Sequence, residues 1–189
     1  MKNFITLTLL AFLLSISLNA QDSMFTVKDN VVNLGVGIGS IYGSGINSNT
    51  TIPPVSISFE RAIKDEVLGK GVIGVGAYLG YTSYKWQYTY SSIEYGWKYS
   101  NIVVGARGTF HYPLLDKLDS YLGIMLGYNI ISASSFGTNG GTYAYTPDAG
   151  SIAFSGFAGG RYYFSDSFFG FMELGYGISY LNLGIGIKL

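Results

Sequence analysis

The sequence contains no cysteine, so neither disulfides nor thiolate-bound metal can hold its fold together. Histidine occurs once, at His111, and no cluster of metal-ligating residues is visible, so no metal and no cofactor are expected. Charge is scarce. Charged residues make up 12% of the chain, about half of the roughly 25% usual in soluble domains. The signs balance to a net charge of +0, which removes the basic excess that nucleic-acid binding requires. Proline is rare, at 4 residues, and beyond the N-terminus no apolar run approaches the length of a membrane-spanning helix, about 20 residues. A soluble domain this poor in charge would be hard to keep in solution.

What the chain does have begins at its N-terminus. Met1-Lys2-Asn3 is a short basic start, Phe4 to Leu18 is an almost unbroken apolar run, and Leu18-Asn19-Ala20 offers small-residue cleavage chemistry before Gln21. That order reads as a secretory signal peptide over residues 1–20, followed by a short leader over 21–30 and one domain over 31–189. With no cysteine near the cleavage point, there is no thiol for a lipid anchor.

Through the rest of the chain apolar residues alternate with small or polar ones at period two, the mark of strands with two unlike faces. The first such segment sets Val32, Leu34, Val36 and Ile38 against Asn33, Gly35, Gly37 and Gly39. The last sets Leu183, Ile185, Ile187 and Leu189 against Asn182, Gly184, Gly186 and Lys188. Eight segments of this kind can be counted, an even number, as closed single-chain barrels have. The non-aliphatic face is mostly Gly, Ser, Asn and Thr with isolated charges. It is too poor in charge for a solvated surface and suits a narrow lumen filled by its own side chains. The expected fold is therefore all-β, an eight-stranded antiparallel transmembrane barrel in up-and-down order.

Connections differ in length. Lys64 to Lys70, Pro113 to Leu118 and Ser165 to Ser167 are short; Gly43 to Thr51, Gln87 to Lys98 and Ser132 to Gly150 are long. Short turns on one side and long loops on the other place the short ones in the periplasm. The connection after the seventh segment, around Gly177 to Ser179, breaks the pattern by being short. Aromatic residues at segment ends are expected to form two girdles, Phe110, Tyr112, Phe164 and Phe168 near the short turns, and Tyr84, Trp86, Tyr99, Tyr128 and Tyr176 near the long loops.

The C-terminal segment, with Asn182, Gly184, Ile187 and Leu189 in a polar, small and apolar pattern, resembles the terminal signal read by the barrel-assembly machinery of Gram-negative outer membranes. Gly159 to Asp166 followed by Glu173-Leu174-Gly175-Tyr176-Gly177 resembles a closing hairpin. With the signal peptide and the eight alternating segments, the chain is similar to the small bacterial outer-membrane β-barrel family often labelled porin-like, in its Bacteroidetes-type members. Leu189 departs from the pattern, since an aromatic residue is more usual there. The resemblance implies a cell outer-membrane location, with membrane lipid and the assembly machinery as partners.

Four charges, Glu60, Arg107, Arg161 and Glu173, fall on the inward faces and are expected to pair, because an unpaired buried charge costs several kcal/mol. His111 has Thr109 nearby but faces inward at the periplasmic end, away from any outer-leaflet substrate. Gly35 to Gly39 and Gly74 to Gly76 look like phosphate loops, but no helical pattern follows either. The expected role is a structural or surface-interaction barrel, monomeric and not an enzyme, with at most a narrow pore and an outside partner the sequence does not name. Two rivals stand beside it. One is an outer-membrane enzyme acting on lipid, the other a soluble exported barrel carrying a small apolar ligand with its aliphatic faces turned inward.

Overall fold

A computed structural model describes residues 23–43, 48–90, 93–137 and 150–189. The signal-peptide reading over residues 1–20 lies outside the described residues. Among the described residues eight strands follow in order: β1 (Asn30–Ile38), β2 (Ser48–Val67), β3 (Gly71–Tyr90), β4 (Ile93–Leu115), β5 (Leu118–Phe136), β6 (Ser151–Tyr163), β7 (Phe168–Tyr176) and β8 (Leu181–Lys188). Each pairs antiparallel with its sequence neighbours, and β8 closes on β1. The meander is thus a closed barrel, which leaves no edge at its seam.

The faces follow the sequence alternation. Leu34, Val36, Ile57, Leu79, Val104, Leu122, Ile124, Leu126, Phe154, Met172 and Ile185 are all exposed on the outer wall. Asn33, Ser58, Glu60, Arg107, Thr109, His111, Arg161, Glu173 and Asn182 are buried inside. This is the inverse of a water-soluble carrier barrel, and an outer wall of aliphatic side chains requires lipid around it. The seam depends on small residues. Gly184 stands opposite Gly35, and a Cβ on Gly184 would collide with the Leu34 carbonyl oxygen. Gly186 stands opposite Asn33, and Gly37 opposite Asn182.

Several connections are shorter than the sequence expectation. Gln87 to Lys98 is not a loop, since β3 and β4 stay paired through Trp86↔Trp97, Tyr88↔Tyr95 and Thr89↔Glu94. Cross-strand aromatic pairs hold this ribbon together beyond the barrel rim, with Tyr84 and Tyr99 stacked at 5.2 Å and Tyr88 and Tyr95 at 5.9 Å. Similarly, β2 runs on through Lys64 to Val67, leaving only Leu68 to Lys70 as the turn. Glu66, Leu68 and Gly69 all carry positive φ there, which makes the reversal tight. On the long-loop side β5 likewise continues to Phe136, opposite Gly96.

Candidate functional site

Because β2, β4, β6 and β7 each turn one or two charged side chains inward, the lumen collects them at its centre. Arg107 Nη2 donates to Glu173 Oε1 at 2.5 Å. Arg161 donates through Nη2 to Glu60 and through Nη1 to Asp119 at 3.2 Å. The four charges singled out in the sequence thus form two pairs, Arg107 with Glu173 and Arg161 with Glu60. Tyr121 links them, since its hydroxyl donates to Glu173 at 3.0 Å while its ring lies 4.7 Å from the Arg161 guanidinium.

Two further ionisable groups belong to the network that sequence reading left out of it. His111 Nδ1 lies 2.8 Å from Asp119, and its Nε2 lies 2.6 Å from Glu60 and 2.9 Å from Thr109 Oγ1. The Thr109 hydroxyl donates to Glu60, so its oxygen can only accept from histidine. Both ring nitrogens therefore face acceptors, and both carry hydrogen. Among the described residues the interior then holds three carboxylates, two guanidiniums and one imidazolium, and is neutral. Asp119 sits at the start of β5, just past the turn expected over Pro113 to Leu118. Its pairing with Arg161 across β5 and β6 turns the side chain inward.

Apolar layers close the lumen above and below this network. Below, Phe25 from the leader is fully buried against Val31, Ala62, Val72, Tyr163, Phe169 and Phe171. Its ring lies 4.5 Å from that of His111 and 5.4 Å from the Arg161 guanidinium. The Lys188 ammonium donates to the Met24 carbonyl at 3.0 Å and ties this leader to β8. Above, Tyr78, Val103, Met125, Ala153 and Ile178 pack together with Tyr42 and Phe157, and Phe157 lies 4.1 Å from the Arg107 guanidinium. The cavity between them, about 30 Å³, is lined by Tyr78, Arg107, Phe157 and Glu173 and has room for about one water.

Three of the residues expected in the upper girdle lie elsewhere. Tyr84, Trp86 and Tyr99 are on the face of the ribbon that continues the lumen side, because alternation runs without a register shift from buried Tyr78 and Thr82, and from buried Asn101 and Val103. They line a cleft with Ile41, Tyr42 and Gly43. Tyr128 and Tyr176 do face outward, as do Phe164 and Phe168 at the opposite end. Burial, and then Tyr176, hold the Tyr42 phenol above its ordinary pKa, so at neutral pH it is an uncharged donor.

A filled lumen, an aliphatic outer wall and an eight-strand meander together define one architecture. The chain has the fold of the eight-stranded outer-membrane β-barrels. The N-terminal β-barrel domain of Pseudomonas aeruginosa OprF aligns with it at a TM-score of 0.51 and 14% identity, over 86% of this chain and 98% of that one. Ail, the attachment invasion locus protein of Yersinia pestis, aligns at 0.54 and 12% identity, over 87% and 100%. OprG from Pseudomonas aeruginosa aligns at 0.54 and 9% identity, over 89% and 99%. No protein-family model and no curated protein matches the sequence. At these identities the likeness is one of fold.

Among the described residues of this barrel, Phe25 seals the base without belonging to a strand. Phe25→Ala removes a fully buried ring, a loss of about 3–5 kcal/mol in a core, which is enough to undock so short a leader. The expected result is faster protease cleavage between residues 23 and 29 while the barrel itself stays folded, read by mass spectrometry of the clipped chain. Cleavage at the wild-type rate would show that the ring does not hold the leader.

Proposed function

We propose that the protein is an integral barrel of a Gram-negative outer membrane, of the Bacteroidetes type, with a structural or surface-interaction role and no wide pore. The observation that carries this reading is the lumen, filled from Phe25 to Ile178 by paired charges and packed rings. Export through residues 1–20 and assembly through the signal at Asn182, Gly184, Ile187 and Leu189 belong to the same reading. So do a monomeric state, lipid around the wall, and an outside partner meeting the long-loop end.

Enzymatic action on lipid is not part of it. Thr109, His111 and Asp119 stand in a row like nucleophile, base and orienting acid. Glu60 occupies the same Nε2, however, and His111 is fully enclosed, so no substrate reaches the row.

The test is refolding in detergent followed by planar-bilayer conductance, where the expected result is no large, steady open level. A stable conductance of porin size would overturn the closed-lumen reading. Orientation has its own test, and the absence of cysteine makes it clean. On intact cells a membrane-impermeant maleimide should label the Lys85→Cys variant on the ribbon and spare Lys64→Cys near the β2–β3 turn. Labelling of Lys64→Cys alone would invert the topology.

A further inference from the structure

The cleft at the mouth of the barrel has a composition of its own. One wall is Ile41, Tyr42 and Gly43 from the β1–β2 connection; the other is Tyr84, Trp86 and Tyr99 from the β3–β4 ribbon. Its volume of about 400 Å³ lies in the range of small-ligand sites. Among the described residues three tyrosines and a tryptophan line it, and none of the lining residues described is charged. Lys85 and Lys98 pair with each other one position along, on the reverse face of the ribbon, where Lys85 lies over the Phe136 ring at 5.4 Å.

The cleft is also held in place. Gly43 has φ +125°, and a Cβ there would come within 2.8 Å of the Tyr84 ring, so the connection presses its bare backbone on that ring. Ser48 Oγ donates to the Gly43 carbonyl and fastens it. The aromatic face continues upward, with Trp97 opposite Trp86 and Tyr95 stacked on Tyr88. Trp86, Tyr88 and Tyr95 are each more than a third exposed, at 36%, 38% and 37%. Aromatic rings left this wet at the end of an ordered ribbon supply rigid contact area at low entropic cost.

We propose that this cleft is a binding site for a neutral oligosaccharide, with Tyr42, Trp86 and Tyr99 stacking on its sugar rings. A pyranose offers a patch of C–H bonds on its face and hydroxyls around its rim. Tyrosine offers the complement, an apolar ring with a hydroxyl at its edge. The described lining holds no carboxylate and no ammonium, which disfavours a charged ligand. A compact cation also meets the two lysines behind the ribbon with no acid in the lining to offset them. Same-face residues along a strand are about 7 Å apart, so the Tyr84, Trp86 and Tyr88 layers form a track longer than one ring. A trisaccharide is therefore held more tightly than a monosaccharide. The biological meaning of the site rests on the mouth facing outward, as in the proposed function; the binding itself does not.

The experiment uses the full barrel refolded in detergent, with maltotriose, cellotriose and tri-N-acetylchitotriose as probes. The chain's two tryptophans are both in the ribbon, so fluorescence excited selectively at tryptophan reports the ribbon that carries this site. At least one trisaccharide should give a saturable change, glucose a weaker one, and calorimetry the same order. Trp86→Ala, followed by calorimetry, should weaken binding about tenfold, the scale of one lost aromatic contact. Tyr99→Leu should do the same should the first variant fail to fold. Lys98→Ala, on the reverse face, should bind as wild type. Three trisaccharides without saturable signal would overturn the proposal, as would binding indifferent to both aromatic variants. Saturation by choline chloride without any by the sugars would overturn it in favour of a cation cage. Maleimide labelling of Lys85→Cys on cells separates the two failures: sugar binding in detergent without outside labelling would sink the orientation and leave the site.

Discussion

Arg161→Ala should cost the refolded barrel about 3–5 kcal/mol of stability, the scale measured when one partner of a buried ion pair is removed. Arg161 is fully buried and serves two carboxylates at once, Glu60 and Asp119. Its guanidinium is also boxed by the rings of Tyr121, Phe169 and Phe25, at 4.7, 5.5 and 5.4 Å. Alanine would leave Glu60 and Asp119 with only the His111 imidazolium between them, one negative charge in excess within a closed lumen. Urea unfolding in detergent measures the loss. A double variant, Arg161→Met with Glu60→Gln, should regain much of it, because a neutral, similarly sized pair removes the stranded charge. Stability within about 1 kcal/mol of wild type for Arg161→Ala would mean that the pairs contribute no more than exposed ones do.

Ile187→Asp should abolish outer-membrane accumulation while leaving export intact, with the protein degraded or aggregated in the periplasm. Ile187 faces outward on β8 between Val32 of β1 and Phe168 of β7. It lies two residues from the chain end, at the rim of the wall, where a charge on the lipid face costs only about 0–1 kcal/mol. The variant should therefore refold into detergent almost as well as wild type. That contrast separates recognition from stability. Loss in cells with recovery in vitro supports reading Asn182, Gly184, Ile187 and Leu189 as an assembly address. Normal levels in the outer-membrane fraction would refute it. Deleting Lys188-Leu189 should behave differently, because Lys188 also holds the Met24 carbonyl, and such a chain should lose both the address and the leader's tether.

The wall of the barrel was legible because its physics repeats every second residue. Leu34, Ile57, Ile124 and Ile185 all alternate with something small or polar, and lipid on one side admits no ambiguity of face. The pairing of Arg107 with Glu173 and of Arg161 with Glu60 could be anticipated only as a necessity of burial; which acid meets which base depends on the tilt and stagger of the strands. Asp119 went unnoticed because it falls between the expected turn, Pro113 to Leu118, and the clear alternation that begins at Leu122, until β6 pairs it with Arg161. The ribbon was missed for another reason. Gln87 to Lys98 carries aromatic residues on one face and polar ones on the other, a pattern that a membrane-length rule cuts short but that cross-strand stacking sustains in water. Phe25 gave no signal at all, because Met24, Phe25 and Val27 in so short a leader set up no sustained period.

That leader gathers strands far apart in the chain around one ring. The cage around Phe25 draws on β1, β2, β3, β6 and β7, and its tether is the penultimate residue of the chain. The seat is complete only when β6 and β7 stand across the lumen from β1, β2 and β3, an arrangement that closure of the barrel brings about. Seating it demands contacts spanning nearly the whole chain, the slowest kind to form. Before that moment the lumen is open at its base. A closed barrel therefore differs from an unclosed one by a docked leader segment around Phe25, a mark of completion displayed at the short-turn end.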